Sequence, residues 1–379
     1  MANINNTNGK TRVAHVAGGG FAGLTAAIAL RQNGWDVTLY EKGEELRAFG
    51  AGIYLWYNGL RVLEGIDALE DVLQGSHTPP AYETWMHNKS VSKETFNGLP
   101  WRVMTRAHLH NALVKRAEAV GVTLRTNAEV VGATADGQLK LASGEVLEGD
   151  LIVGADGVGS KVRDSLEFEQ ERWGATDGII RLIVPRHKDK LGHGEWDNTI
   201  DMWNHWPRVQ RILYSPCNDE ELYLGLMAPS ADPKGSAVPL NYDVWVEMFP
   251  FLEPCLADAA KIQDARYDTY QTTKLDSWTR GKVALVGDAA HAMCPALAQG
   301  AGCGMVNAYT LAQDVSAAGS VEDALPEWEK RIRPITDRTQ KMSGDFAASR
   351  GMSYGNQFTE TVLEAHRFDP IRGIYSWPQ

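Results

Sequence analysis

The chain has 379 residues, 44% of them apolar and 22% charged. At ~150 residues per domain that makes two or three domains with ample core, and it excludes a small disulfide- or metal-stapled fold. Its 48 acidic against 37 basic side chains leave a net charge of −11, which argues against a nucleic-acid partner.

The opening MANINNTNGK is polar, and no uninterrupted apolar run approaches the ~20 residues that span a bilayer, so neither an export signal nor a membrane anchor is expected. Residues 12 to 17 (RVAHVA) predict a buried strand, 21 to 33 an Ala/Leu-rich helix and 36 to 41 (DVTLYE) a second strand, a βαβ unit. Helical periodicity returns at 105 to 120. Short strands are expected near 122 to 134 and 138 to 148, and an apolar one at 150 to 154. Between 176 and 230 the texture changes to β-branched and aromatic runs (GIIRLIVP, TIDMW, RILYS, ELYLGLM), which predict an antiparallel sheet. A strand at 282 to 286 and a helix from about 299 to 317 restore the first texture. A helix at 322 to 341, ended or bent near Pro334, precedes a polar, loosely structured finish. Cys217, Cys255, Cys294 and Cys303 form no CxxC pair and adjoin no histidine cluster of metal spacing. Free thiols, a cytoplasmic location and no metal are therefore expected.

The fold class is thus α/β: a Rossmann-type nucleotide domain, discontinuous over 1–75, 100–175 and 265–318, enclosing a sheet domain over 76–99 and 176–264. A C-terminal helical segment follows over 319–379. AHVAGGGFAGLTAA carries GxGxxG at Gly18, Gly20 and Gly23, between the predicted strand and helix as a dinucleotide fingerprint requires. The first glycine permits the tight turn, the second lets backbone approach a pyrophosphate, and the third allows close helix–strand packing. Free N–H groups and the positive helix end hold the anion. Phe21 and Ala22 lie inside the motif. Glu41 closes the second strand, where its carboxylate can accept ribose hydroxyls, and Lys42 follows it. These residues leave NAD and FAD both open.

Two further segments, LIVGADGVGSKVR at 151 to 163 and GKVALVGDAAHAMCP at 281 to 295, resemble the paired Asp-Gly and Gly-Asp signatures of the single-component flavin aromatic hydroxylases. The resemblance implies tightly bound FAD, with Asp288 on a sugar-alcohol hydroxyl of its ribityl chain. It also implies NADH or NADPH as a transient co-substrate, in keeping with the lack of a second strand-linked GxGxxG. After Pro295, ALAQGAGCGM resembles the family's flavin-facing loop, with Gly300, Ala301 and Gly302 opening a helix whose N–H groups approach the ring. Arg47 and Arg106 match arginines that neighbour the cofactor. Val306 and Asn307 stand where relatives carry an acidic pair, read as a changed helix surface. His291, inside the Gly-Asp motif, is expected to make a structural hydrogen bond, and Ser160 and Arg163 fit helix capping.

An aromatic-acid substrate needs a cation for its carboxylate and hydroxyl partners for its ring substituents. Arg211, basic on an otherwise apolar strand, leads the candidates, with Arg181 competing. Tyr223 alternates onto the same side, Tyr82 begins a predicted strand, and Tyr54 follows GAGI. Long stretches, among them RAFGAGIYLWYNGLRVLEG, YETWMHNKSVSKETFNGLPWR and GHGEWDNTIDMWN, resemble a ring-opening branch of that family. Such enzymes act on hydroxypyridine carboxylates of vitamin B6 breakdown through a flavin hydroperoxide. This implies Arg211, Tyr223 and Tyr82 near the bound pyridine and the backbone of Pro295 beside ring and flavin, while Tyr54 and Arg181 stay substrate-binding candidates from the residue reading; it also implies dioxygen as co-substrate and a homo-oligomer. Simple, salicylate-type hydroxylation is the alternative, and a flavin-containing protein that sequesters an aromatic ligand without turnover is a third reading.

Overall fold

Short apolar runs ended by glycine turns build the nucleotide half of the protein. The computed structural model describes residues 11–46, 51–192, 194–349 and 363–375. Strands Val13–Ala17, Asp36–Tyr40, Thr123–Arg125, Leu151–Gly154 and Val283–Leu285 pair in parallel, and Thr279–Arg280 adds an antiparallel edge. Their spatial order places Val13–Ala17 between Leu151–Gly154 and Asp36–Tyr40. The strand order therefore reverses beside the first strand, and a crevice opens there at the carboxyl ends of the strands. Helix Phe21–Gln32 starts in that crevice and packs along helix Gly300–Ala317. Helix Arg106–Val120 starts from Thr105, whose side chain caps the His108 N–H at 3.2 Å. Leu24, Ile28, Leu30, Leu39 and Val153 are buried in the resulting core.

The second layer is a seven-stranded sheet ordered Tyr267–Leu275, Gln170–Pro185, Glu221–Pro229, Gln210–Pro216, Thr199–Asn204, Tyr82–Met86 and Lys89–Glu94. Period-2 alternation gives it two faces. Ile180, Leu182, Val184, Ile212, Tyr214, Leu222, Leu224 and Leu226 pack against Trp245, Phe249 and Leu256 of helices Tyr242–Met248 and Glu253–Ala259 and the turn between them. The intervening Arg181, Arg211 and Tyr223 face the nucleotide half. A two-stranded ribbon, Gly52–Trp56 with Trp101–Thr105, joins the halves, and Gly52 lies so close to Tyr223 that a Cβ there would meet the ring carbon Cγ at 2.4 Å.

Several expectations are corrected. Strand Tyr267–Leu275, assigned by sequence to the nucleotide domain from residue 265, pairs with Gln170–Pro185 in the large sheet, because that long strand needs a partner on its outer edge. The same strand begins at Gln170 rather than near 176. Thr199–Asn204 runs parallel to Tyr82–Met86, so the sheet is mixed. The final helix is continuous from Val321 to Ser349 through Pro326 and Pro334. Proline removes one N–H donor, but the neighbouring Arg333 ties the helix across Pro334, pairing with Glu329 (2.6 Å) and Asp337 (3.1 Å) and reaching the Asp276 carbonyl at 2.8 Å. The finish is not loose over 363–375. Phe368–Asp369 pairs with Ile374–Tyr375, and the fully buried Asp369 accepts from Arg61 Nε at 3.1 Å.

A Cβ at position 23 would stand 2.0 Å from the Gly18 carbonyl oxygen, whereas one at position 20 meets nothing within 4 Å. Gly23→Ala is expected to cost at least the ~1–3 kcal/mol of an overpacked contact, and Gly20→Ala far less. Thermal unfolding of the two variants checks the difference.

Candidate active site

One cleft of about 1700 Å³ runs from Glu41 at one end, past the Gly-rich turn and Asp288, to Arg211 and Trp203 on the sheet. Its floor is main chain. Gly18 has φ +104°, and a Cβ there would meet the Ala155 carbonyl oxygen at 2.4 Å, so only glycine fits where the first and fourth parallel strands end together. Gly20 precedes helix Phe21–Gln32 in extended backbone with no side-chain cap, and Gln299 likewise leaves helix Gly300–Ala317 without one. Two helix starts therefore present N–H groups and positive ends to the cleft. Glu41 is pinned by the backbone N–H groups of Gly19 and Gly43, both at 2.9 Å, and His110 donates to the Gly19 carbonyl at 2.7 Å. Glycine cradles, uncapped helix starts and a fixed carboxylate fit the phosphates and ribose of a dinucleotide.

Asp288 projects into the cleft, exposed to its interior while protein encloses it around. That enclosure pushes its carboxyl up, opposed by the Arg106 guanidinium. Burial, then the charge of Arg181, pulls Arg106 down, and Asp288 offsets part of this. Arg106 also lies 5.0 Å over the Phe21 ring.

On the sheet side, Arg211 is gripped by Asp201, Nε to Oδ1 at 2.5 Å and Nη2 to Oδ2 at 3.1 Å, and it stands 4.7 Å over the Trp203 ring. Burial works against its charge, but the Asp201 carboxylate and neighbouring groups raise its pKa above the ordinary arginine value. Tyr82 donates to Asp201 Oδ2 at 3.0 Å, and Tyr54 shares a short bond with Ser215 while stacking on Trp101 at 5.9 Å. Burial raises Tyr54, Tyr223 and Tyr270 above the ordinary phenol value; for Tyr223 the charges of Arg181 and Arg106 oppose it. All three are phenols at neutral pH, able to donate hydrogen bonds. Arg181 pairs with Asp268 at 2.9 Å, both residues lining the cleft.

Of the sequence candidates, Gly20, Phe21, Ala22, Glu41, Lys42, Tyr54, Tyr82, Arg106, Arg181, Arg211, Tyr223, Asp288, Pro295, Gly300 and Ala301 all line this cleft. Gly18 and Gly23 form its support, and Gly302 lies against Asn58 and Gln299. Arg47 lies outside the described residues. Asp156 and Ser160 cap helix Lys161–Ser165, with Asp156 accepting from Lys161 N at 2.7 Å, and the buried Arg163 ties Val158 and Ala289 carbonyls at 3.0 and 3.2 Å. Val306 and Asn307 are a correction: both are buried rather than on the helix surface, and Asn307 donates its amide to His291 Nε2 at 2.9 Å.

Trp203, Tyr270, Met227 and Gly304 also line the cleft, Asp201 stands behind Arg211 and Tyr82, and none of the five was among the candidates. The alternation that singled out Arg211 was available for TIDMW and could have found Asp201 as a charge on an apolar strand. Tyr270 arrives only with the unexpected edge strand. The Cys294–Leu297 turn is held from behind by the last helix and the tail. Ser343 donates to the Cys294 carbonyl at 2.5 Å, Gln340 to Ala292 at 2.9 Å and His366 to Leu297 at 3.0 Å.

Residues 10–335 match the family described as FAD binding domain. A solved tetrameric form of 2-methyl-3-hydroxypyridine-5-carboxylic acid oxygenase is 76% identical, covers 98% of this chain and 100% of its own, and superposes with a TM-score of 0.96. A 2-heptyl-3-hydroxy-4(1H)-quinolone synthase of Mycobacteroides abscessus is 35% identical over 337 residues, 87% of this chain and 88% of that protein. A Rhodococcus erythropolis protein named as a probable synthase of the same product is 39% identical over 336 residues, 88% of this chain and 87% of its own. Among the described residues no helix is long and apolar enough to cross a membrane.

Burial pushes His291 down to about 4 and His366 down to about 3, so both are neutral in the folded protein near pH 7. Below the ordinary histidine value of about 6.5 the unfolded chain binds more protons, and stability falls as pH drops. Each histidine adds at most about 1.4 kcal/mol per pH unit to that slope. Asn307→Asp, which sets a carboxylate on His291, is expected to raise its pKa and make the fall between about pH 6.5 and 4 shallower. Urea midpoints of both proteins across that range check it.

Proposed function

The chain belongs to the FAD binding domain family, and from that premise we propose that it is an FAD-dependent oxygenase of 2-methyl-3-hydroxypyridine-5-carboxylate. It uses NADH or NADPH and dioxygen to hydroxylate the pyridine ring and open it, a step of vitamin B6 degradation. The reading is carried by a buried guanidinium–carboxylate pair on the cleft face of an apolar sheet, opposite a backbone-lined nucleotide floor. The 76% identity to the oxygenase of that acid over nearly the whole chain supports it.

FAD would be held by the turn at Gly18, Gly20 and Gly23 with Phe21 and Ala22, by Glu41 and Lys42 at the ribose end, and by Arg106, Asp288 and the Gly300–Gly302 helix start; Arg47 completes this proposed set. When bound, FAD takes electrons from the nicotinamide and makes dioxygen reactive toward an electron-rich ring. Arg211 receives the substrate carboxylate, its charge held by Asp201. Tyr223 and Tyr54 donate hydrogen bonds to ring substituents as phenols, and Tyr82, whose proton goes to Asp201, offers its oxygen. Arg181, shared with Asp268, guides the anionic ligand inward. Pro295 sets a rigid backbone edge beside the ring, and the Ser343, Gln340 and His366 contacts keep that edge still, so that water is excluded and the ring is aimed. A homo-oligomer fits the tetrameric form of the similar oxygenase, and four buried free thiols fit a cytoplasmic location.

Hydroxylation without ring opening is the second reading, and it shares the first oxygen transfer. Turnover under ¹⁸O₂ separates the two: ring opening retains both labelled atoms in the product, simple hydroxylation one. Arg211→Ala is expected to raise KM for the pyridine carboxylate about tenfold or more while FAD content is unchanged. Initial rates and the bound-flavin absorbance check it, and unchanged KM removes Arg211 from the site.

A further inference from the structure

Asp201 is 3% exposed and lies on strand Thr199–Asn204, across from Leu213 of the strand that carries Arg211. Tyr82 starts the neighbouring strand, paired with Thr199. Both Asp201 oxygens are engaged: Oδ1 accepts from Arg211 Nε, and Oδ2 accepts from Arg211 Nη2 and from the Tyr82 hydroxyl. A lone carboxylate or guanidinium at this depth would be costly, and each is tolerable because it meets the other. The grip has a direction. It occupies the Nε–Nη2 edge of the guanidinium, while Nη1 contacts Met227 Sδ at 3.1 Å and Trp203 packs under the plane. A ligand carboxylate therefore meets Arg211 through its Nη groups, in a plane that the side chain cannot leave without breaking two charge-assisted bonds.

We propose that Asp201 is the positioning residue of the aromatic-acid site, acting through Arg211 and Tyr82 without touching substrate. It fixes the guanidinium plane and turns the Tyr82 proton away from the cleft, so that Tyr82 meets the ligand as an acceptor. This rests on the reading of the cleft as an aromatic-acid site.

The test is a double-mutant cycle on the flavin-loaded enzyme with Asp201→Asn, Arg211→Ala and the pair, measuring KM, kcat and FAD content with the pyridine carboxylate. Asp201→Asn is expected to raise KM about tenfold and lower kcat by less than about threefold. In the Arg211→Ala background it is expected to add less than about threefold, because the guanidinium it holds is gone and only its contact with Tyr82 remains. Asp201→Glu, which keeps the charge, is expected to recover part of the lost affinity, and it serves if the asparagine variant does not fold. Unchanged or tighter KM in Asp201→Asn, or the same fold-loss in both backgrounds, overturns the proposal. A wild-type enzyme that does not oxygenate the pyridine carboxylate overturns the functional reading instead, so the two failures are distinguishable.

Discussion

Close approach at four glycines, three of them against backbone and Gly287 against the Ala22 methyl, holds the nucleotide half together. Gly18 abuts Ala155, Gly23 abuts Gly18, Gly287 abuts Ala22, and Gly304 abuts Gly287. These contacts draw three strand ends and two helix starts to one point, so N–H groups rather than side chains pave the cleft. The uncapped first turns of helices Phe21–Gln32 and Gly300–Ala317 follow from the same closeness. A side-chain cap would occupy the space that an anion and a flat ring need.

The sheet half meets that floor with charge placed on an apolar surface, and three cationic groups at the cleft, two on the sheet and Arg106 on the nucleotide side, each face a carboxylate. Arg211 has Asp201, Arg181 has Asp268, and Arg106 faces Asp288. Buried histidines are kept neutral instead: His291 beside the Asn307 amide and His366 against a carbonyl. The neutral amide of Asn307 leaves no unmatched charge beside His291. The C-terminal helix and tail then buttress the Cys294–Leu297 turn from outside, which gives a remote segment a direct hold on the cleft wall.

Much of this was legible in residue order. GxGxxG with Glu41, the Gly-Asp segment before Pro295, and the apolar alternation around Arg211 and Tyr223 were legible because each is written in turn glycines and periodicity within about two dozen residues. The misses have a common origin. Strand Tyr267–Leu275 was assigned by its neighbours in sequence but is held by Gln170–Pro185, and Tyr270 came into the cleft with it. The tail at 363–375 looked polar, yet Asp369 is buried because Arg61, some three hundred residues earlier, receives it.

By itself the sequence determined the nucleotide fingerprint, the two-textured division of the chain, the two-faced strands and the place of Arg211 on an otherwise apolar one, since local periodicity and turn glycines encode these. Only tertiary structure decided which carboxylate meets which guanidinium, which way the Tyr82 proton points, and how the last helix braces residues 292–298. Those outcomes depend on pairings between distant strands and helices, and a buried polar group takes whatever partner the completed packing brings within hydrogen-bond reach.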